Sequence, residues 1–208
     1  MMSPDEVAAL FTRKDGSYLC ARWGRPIAPV VFGVDEATLA VFKGAIEAVV
    51  TLADHKMAET DPELGANMMV FFCEDWRELT EVPHLDQLVP DLRPLVDRLR
   101  QADANQYRIF RFDEDGAVKA AFVFLRYDEH LAAVSADTLA LSQAVQTIVL
   151  WSDQAFDRIP PLAVVNDQTV LRPDIAGVIR AAYDPVMPAV ATDPSHALRL
   201  AARLEKPQ

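Results

Sequence analysis

No residue between Asp137 and Asp153 carries a charge, and Ser135 stands just ahead of that stretch, where a helix would take its N-cap. A helix without charge on any side has no face suited to water, so the segment from Ser135 to about Trp151 is expected to be buried and to organise the chain around it. Its polar residues, Thr138, Ser142, Gln143, Gln146 and Thr147, fall on one side. A buried amide without a partner costs about 1–3 kcal/mol, so polar loops are expected against that side.

A second helix is capped by Asp35 and runs to about Asp54, with Glu36, Lys43, Glu47, Thr51 and Asp54 forming a narrow polar stripe. Its remaining surface is more apolar than one sheet face would cover. The helix is therefore expected to be sandwiched within the domain or shared with another subunit, in a homodimer. Asn67 to Cys73 is a continuous apolar run between Gly65 and Glu74-Asp75, the pattern of an inner strand covered on both faces. Tyr107, Ile109 and Phe112, then Val118, Ala120, Phe122 and Phe124, predict a hairpin across Asp113-Glu114-Asp115-Gly116, with Gly116 near the positive-φ position.

The remaining punctuation completes the outline. Ser3 and Pro4 open a short peripheral helix over Met1 to Ala9, and Ser17 to Trp23 and Ile27 to Phe32 read as edge strands closed by Gly33. From Asp75 to Asp103 the sequence is charged and broken by Pro83, Pro90 and Pro94, which predicts a helical insertion on the surface. After an irregular stretch through Pro160 and Pro161 come helices from Pro173 to about Tyr183 and from Asp193-Pro194 to Leu204. The sum is one α+β domain over residues 1–208: a small mixed sheet with a long N-terminal helix, a β-hairpin, a buried central helix and a helical C-terminal third.

Charge and motif content exclude several function classes. Lys and Arg number 20 against 31 Asp and Glu, a net charge of -11, which argues against nucleic acid and anionic membrane surfaces and for a protein or small-ligand partner. The closest glycines, Gly16 and Gly24, are too far apart for a Walker loop or a dinucleotide fingerprint, so no cofactor is expected. Lys43 and Glu47 interrupt the most apolar helix, and Met1 to Leu10 has no basic leader before an apolar run, which predicts a cytoplasmic protein without a membrane span. Cys20 and Cys73 each lie in an expected strand and read as inert core thiols.

Among reactive groups, His55, His84, His130 and His196 form no HExxH arrangement and read as surface histidines near helix ends, so no metal ligand is expected. No serine sits in a GxSxG elbow, and Glu74-Asp75 beside Cys73 would raise its pKa, so no catalytic residue is expected. The acidic hairpin tip is not a calcium loop, because Phe122 stands where the bidentate Glu would be. Two places could bind. Arg22, Trp23 and Arg25 place two guanidinium groups beside an indole, suited to a carboxylate or peptide terminus, or Arg simply packs across Trp at a strand end. Asn166, Asp167 and Asp174 can build an Asx turn and a helix cap. With Gln143 they can also wall a cleft between the 135–151 helix and the 166–174 loop, the setting for a hydrolase.

The order of elements and several short motifs resemble a bacterial family of unknown function with a zincin-like, metallopeptidase-related layout, many of whose members are exported lipoproteins. The residues concerned are Arg22-Trp23 with Pro26, Asn67, Leu141-Ser142-Gln143-Ala144, Val165-Asn166-Asp167, Leu171 with Pro173-Asp174, and Ala182-Tyr183-Asp184-Pro185, over about residues 20–190. The resemblance implies a Glu on the buried helix where this chain has Ala140. A zincin centre also needs two helical histidines, and this helix has none, so the resemblance implies the layout without metallopeptidase activity. The expected function is a non-catalytic zincin-like binding or interaction module.

Overall fold

The computed structural model describes residues 2–204; Met1, at the start of the expected first helix, and residues 205–208 lie outside the described residues. The helices are α1 (Pro4–Ala9), α2 (Glu36–Leu52), α3 (Leu85–Leu88), α4 (Leu92–Gln101), α5 (Glu129–Ala132), α6 (Ala136–Ile148), α7 (Pro173–Tyr183) and α8 (Ser195–Leu204). The strands are β1 (Cys20–Ala21), β2 (Pro29–Phe32), β3 (Met68–Cys73), β4 (Gln106–Phe112), β5 (Val118–Arg126), β6 (Leu162–Val165), β7 (Gln168–Leu171) and β8 (Val190–Ala191). The main sheet has the order β2-β3-β5-β4, with β2, β3 and β5 parallel and β4 antiparallel to β5 at one edge. The chain is thus α+β with a mixed sheet, and β3 is an inner strand. The β4–β5 hairpin turns at Gly116, whose φ is +84°, with the Asp113 carboxylate accepting from the Asp115 and Ala117 amides.

Strand alternation assigns the two faces of this sheet. Met68 and Val70 on β3, with Ala121, Val123 and Leu125 on β5, face α2 and α6, which pack along each other. Met69, Phe71 and Cys73, with Ala120, Phe122 and Phe124, face the segment after β3. That segment corrects the expectation of a surface insertion. Trp76, Leu79, Leu85, Val89, Leu92, Leu95, Val96 and Leu99 are all buried, and together they form the layer that closes the second sheet face. Its charges and prolines occupy the outer side of short amphipathic turns, and Trp76 Nε1 donates to the Ala104 carbonyl at 2.8 Å to pin the layer down.

The apolar excess of α2 also finds its account inside one chain. Phe42, Ile46, Val49 and Val50 are buried, whereas the exposed apolar positions are Ala37, Ala40, Gly44 and Ala48, which present little apolar surface. The helix therefore supplies no argument for a second subunit. Asp35 caps it as the sequence predicts, accepting from the Thr38 amide at 2.7 Å. The N-terminal segment is not peripheral. Val7, Leu10 and Phe11 enter the core, α1 packs on α8, and Phe11 stacks on Trp151 at 5.3 Å.

Helix α6 is buried as expected, but its C-terminal end needs donors, because the last carbonyls of any helix have no partner within it. Three aromatic side chains supply them: Trp151 Nε1 to Val145 O at 2.8 Å, Trp23 Nε1 to Thr147 O at 2.8 Å, and Tyr183 Oη to Ile148 O at 2.6 Å. Each burial of an aromatic ring here also satisfies a backbone group that water cannot reach.

Two histidines depart from the expected surface positions. His196 on α8 is 4% exposed, with Nδ1 2.8 Å from the Tyr18 hydroxyl and Nε2 without a partner, and His55 is half-buried with Nε2 2.9 Å from the Arg25 carbonyl. Burial is the main cause that holds both imidazoles below their ordinary value. Unfolded imidazoles take up protons near about pH 6.5, whereas the folded ones stay neutral until lower pH, so the unfolded state binds more protons in that window. Stability is expected to fall as pH drops below about 7 and to level off once the folded-state values are passed. Urea midpoints across this range should show the decline, and His196→Leu should flatten it; parallel profiles would contradict the assignment.

Candidate functional site

The polar side of α6 meets a strand, where the sequence reading places polar loops. Edge strand β4 alternates like its neighbours, but the residues it turns toward α6 are Gln106, Arg108 and Phe110, while Tyr107 and Ile109 join the opposite core. Gln143 and Gln146, three apart on α6, lie on one face and reach this strand together. Arg108 Nη1 donates to Gln143 Oε1 at 2.8 Å, and its Nη2 donates to Gln146 Oε1 at 2.7 Å. Gln143 Nε2 then donates to Gln106 Oε1 at 2.8 Å, and Gln146 Nε2 to Ser142 Oγ at 2.8 Å. The network is oriented throughout: the guanidinium fixes which way each amide points, and the amides pass their own N–H groups onward.

What the network lacks is negative charge. Among the described residues no carboxylate lies within ion-pair distance of Arg108. Burial pushes its guanidinium down to about 10, which still leaves it charged at neutral pH. Amide oxygens accept from its two terminal nitrogens without neutralising it, and a cation removed from water without a counter-ion is costly. Its surroundings are partly open, because Arg108 borders a cavity of about 330 Å³ lined also by Phe110, Gln146, Trp151, Ser152, Phe156, Asp153 and Asp157.

The residues anticipated for binding are dispersed. Trp23 is 1% exposed and serves α6, so it offers no surface to a ligand. The Arg22 guanidinium lies over the Tyr183 ring at 5.3 Å, with a long bond to the Met187 carbonyl at 3.4 Å. Arg25 points elsewhere, to Glu63 at 3.0 Å and Asp61 at 3.5 Å. Asn166 and Asp167 form the tip of the β6–β7 hairpin, both at positive φ (50° and 61°), and are exposed. They are a two-residue turn and not the cap of α7. Asp174 is held by Arg172, at 3.1 Å from Nε and 2.7 Å from Nη2, and borders a separate groove of about 630 Å³ beside α1. Gln143, Asp167 and Asp174 thus do not wall a common cleft; only Gln143 belongs to the Arg108 network.

Reactive groups remain apart as well. Cys20 and Cys73 are free and buried, and burial pushes each thiol up to about 12, with Glu78 and Asp75 adding to the effect at Cys73. Ser152 Oγ accepts from the Gln154 amide at 3.2 Å and makes no hydrogen bond to a histidine or carboxylate among the described residues. Among the described residues no three His, Cys, Asp or Glu side chains converge in a metal-binding group. Arg108 itself escaped the sequence reading. The available signal was the alternate set Gln106, Arg108, Phe110 on a strand whose other set is apolar, beside a helix offering only amides. No helix among the described residues is long and apolar enough to cross a membrane. No family model, no curated protein and no solved structure matches this chain.

Proposed function

We propose that this protein is a non-catalytic binding module of zincin-like layout, and that its site is the cavity at Arg108. The layout is supported by an antiparallel edge strand, β4, set against helix α6, which follows β5 in the chain. The observation that carries the functional reading is what α6 turns toward that strand: Gln143 and Gln146, bound to a cation, where a zincin centre needs imidazoles and a carboxylate. Ala140, in the position of the family's Glu, is fully buried and has no proton to exchange. The partner is a small ligand and not a nucleic acid, given the net charge of -11. Two buried free thiols support a reducing, cytoplasmic setting.

Metal analysis of protein purified in the presence of zinc tests the non-catalytic reading. Substoichiometric metal is expected, and one tightly held equivalent would overturn it. A second measurement asks whether the polar network serves binding or folding. The triple variant Arg108→Met, Gln143→Leu, Gln146→Leu is expected to be as stable as the parent or more so, because a buried charge replaced together with its partners by apolar side chains is often neutral or stabilising by about 1–4 kcal/mol. A loss of several kcal/mol in urea unfolding would make the network a scaffold and remove the site.

A further inference from the structure

The cavity at Arg108 is small, at the lower end of the roughly 300–1,000 Å³ usual for ligand pockets, and its lining carries both signs of charge. Among the described residues Arg108 Nε has no acceptor, and the two terminal nitrogens are bonded only to amide oxygens. Elsewhere in this molecule Arg77 and Arg172 each grip a carboxylate through Nε and Nη2. Arg108 has the first of those donors free and lacks the carboxylate. Ser152, also on the cavity wall, accepts one hydrogen bond and donates none among the described residues, so its O–H is available to a ligand in the same cavity.

The same cavity carries acid. Asp157 is exposed and has no cationic partner among the described residues, whereas Asp153 is paired loosely with Lys14 at 3.5 Å. The same cavity has aromatic walls, Trp151 and Phe156, whose rings meet edge to face at 5.2 Å. A simple anion would satisfy Arg108 but would leave Asp157 of the same cavity unpaired and make no use of the rings.

We propose that this cavity binds a zwitterionic, apolar α-amino acid, with its carboxylate on Arg108 and Ser152, its ammonium on Asp157 and its side chain against Trp151 and Phe156. The assignment rests on the binding-module reading above and names its ligand class. Isothermal titration with L-phenylalanine and L-leucine, against 3-phenylpropionate and phenethylamine, tests it. Binding is expected for the two amino acids and should be weakened at least about tenfold when either charged group is missing, the effect of one charge-assisted hydrogen bond. Arg108→Met should abolish binding, and Asp157→Asn, at an exposed position that does not endanger folding, should lower phenylalanine affinity to that of 3-phenylpropionate. No binding by either amino acid, equal binding of phenylalanine and 3-phenylpropionate, or phenylalanine binding untouched by Asp157→Asn would each overturn the proposal. Metal content decides the non-catalytic reading separately, so the two can fail independently.

Discussion

Deleting residues 75–103 is expected to yield a chain with no cooperative unfolding transition. The deletion does not stretch the backbone, because its ends lead into β3 and β4, which flank β5 and so lie about 10 Å apart, within reach of a short Gly-Ser bridge. What it removes is the apolar layer from Trp76 to Leu99, and what it exposes is Met69, Phe71, Phe122 and Phe124. At about 1.5–3 kcal/mol for each large side chain, the lost burial is on the order of 10–20 kcal/mol even after discounting for a compact unfolded state. A whole domain is stable by only about 5–15 kcal/mol. Near-UV circular dichroism and urea titration read the outcome, and a folded product with the parent's midpoint would show that the layer is an accessory. The single substitution Leu95→Ala should already lower stability by about 2–5 kcal/mol.

Trp23 gives the second large effect. Trp23→Ala is expected to reduce stability by about 3–5 kcal/mol through the cavity left in the core, where the ring is 1% exposed. Trp23→Phe keeps most of the volume but leaves the Thr147 carbonyl without its donor at the end of α6, a loss of about 1–3 kcal/mol. Tyr183→Phe should impose a similar loss through Ile148 O, because it strips the neighbouring carbonyl of the same helix. If Trp23 were a ligand-contacting residue, Phe in its place would leave the urea midpoint unchanged.

These two cases mark where the sequence was legible and where it was not. The caps at Ser3, Asp35 and Ser135, the hairpin turn at Gly116 and the inner strand β3 are local: each follows from a side chain acting on backbone within a few residues, or from an unbroken apolar run. The β6–β7 hairpin is equally local, since Asn166-Asp167 lies between two runs rich in β-branched residues, but an Asx turn there is as compatible with a helix cap as with a hairpin. The segment 75–103 misled because its charged residues are as numerous as its apolar ones and are interleaved with them. Short amphipathic helices bury one side only, so a high charge content and full burial of the other side coexist.

The candidate site was less legible than the fold. That the amides of α6 would need partners followed from its lack of charge, a property of the helix alone. That the partner would be Arg108 did not, because the pairing depends on β4 being the antiparallel edge of the sheet and on which alternate set faces α6, and a shift of one residue would bring Tyr107 and Ile109 there instead.

By itself the amino-acid order determined the helix starts, the alternation of the strands and the lack of histidine in α6, because each is written in residues that act on near neighbours. Only the tertiary structure decided that Trp23 is a helix cap, that the charged segment is a core layer and that one guanidinium lies beside a cavity without a counter-ion. Those outcomes rest on contacts between residues far apart in the chain, and the side chains involved do not specify their partners until the sheet order and register are set.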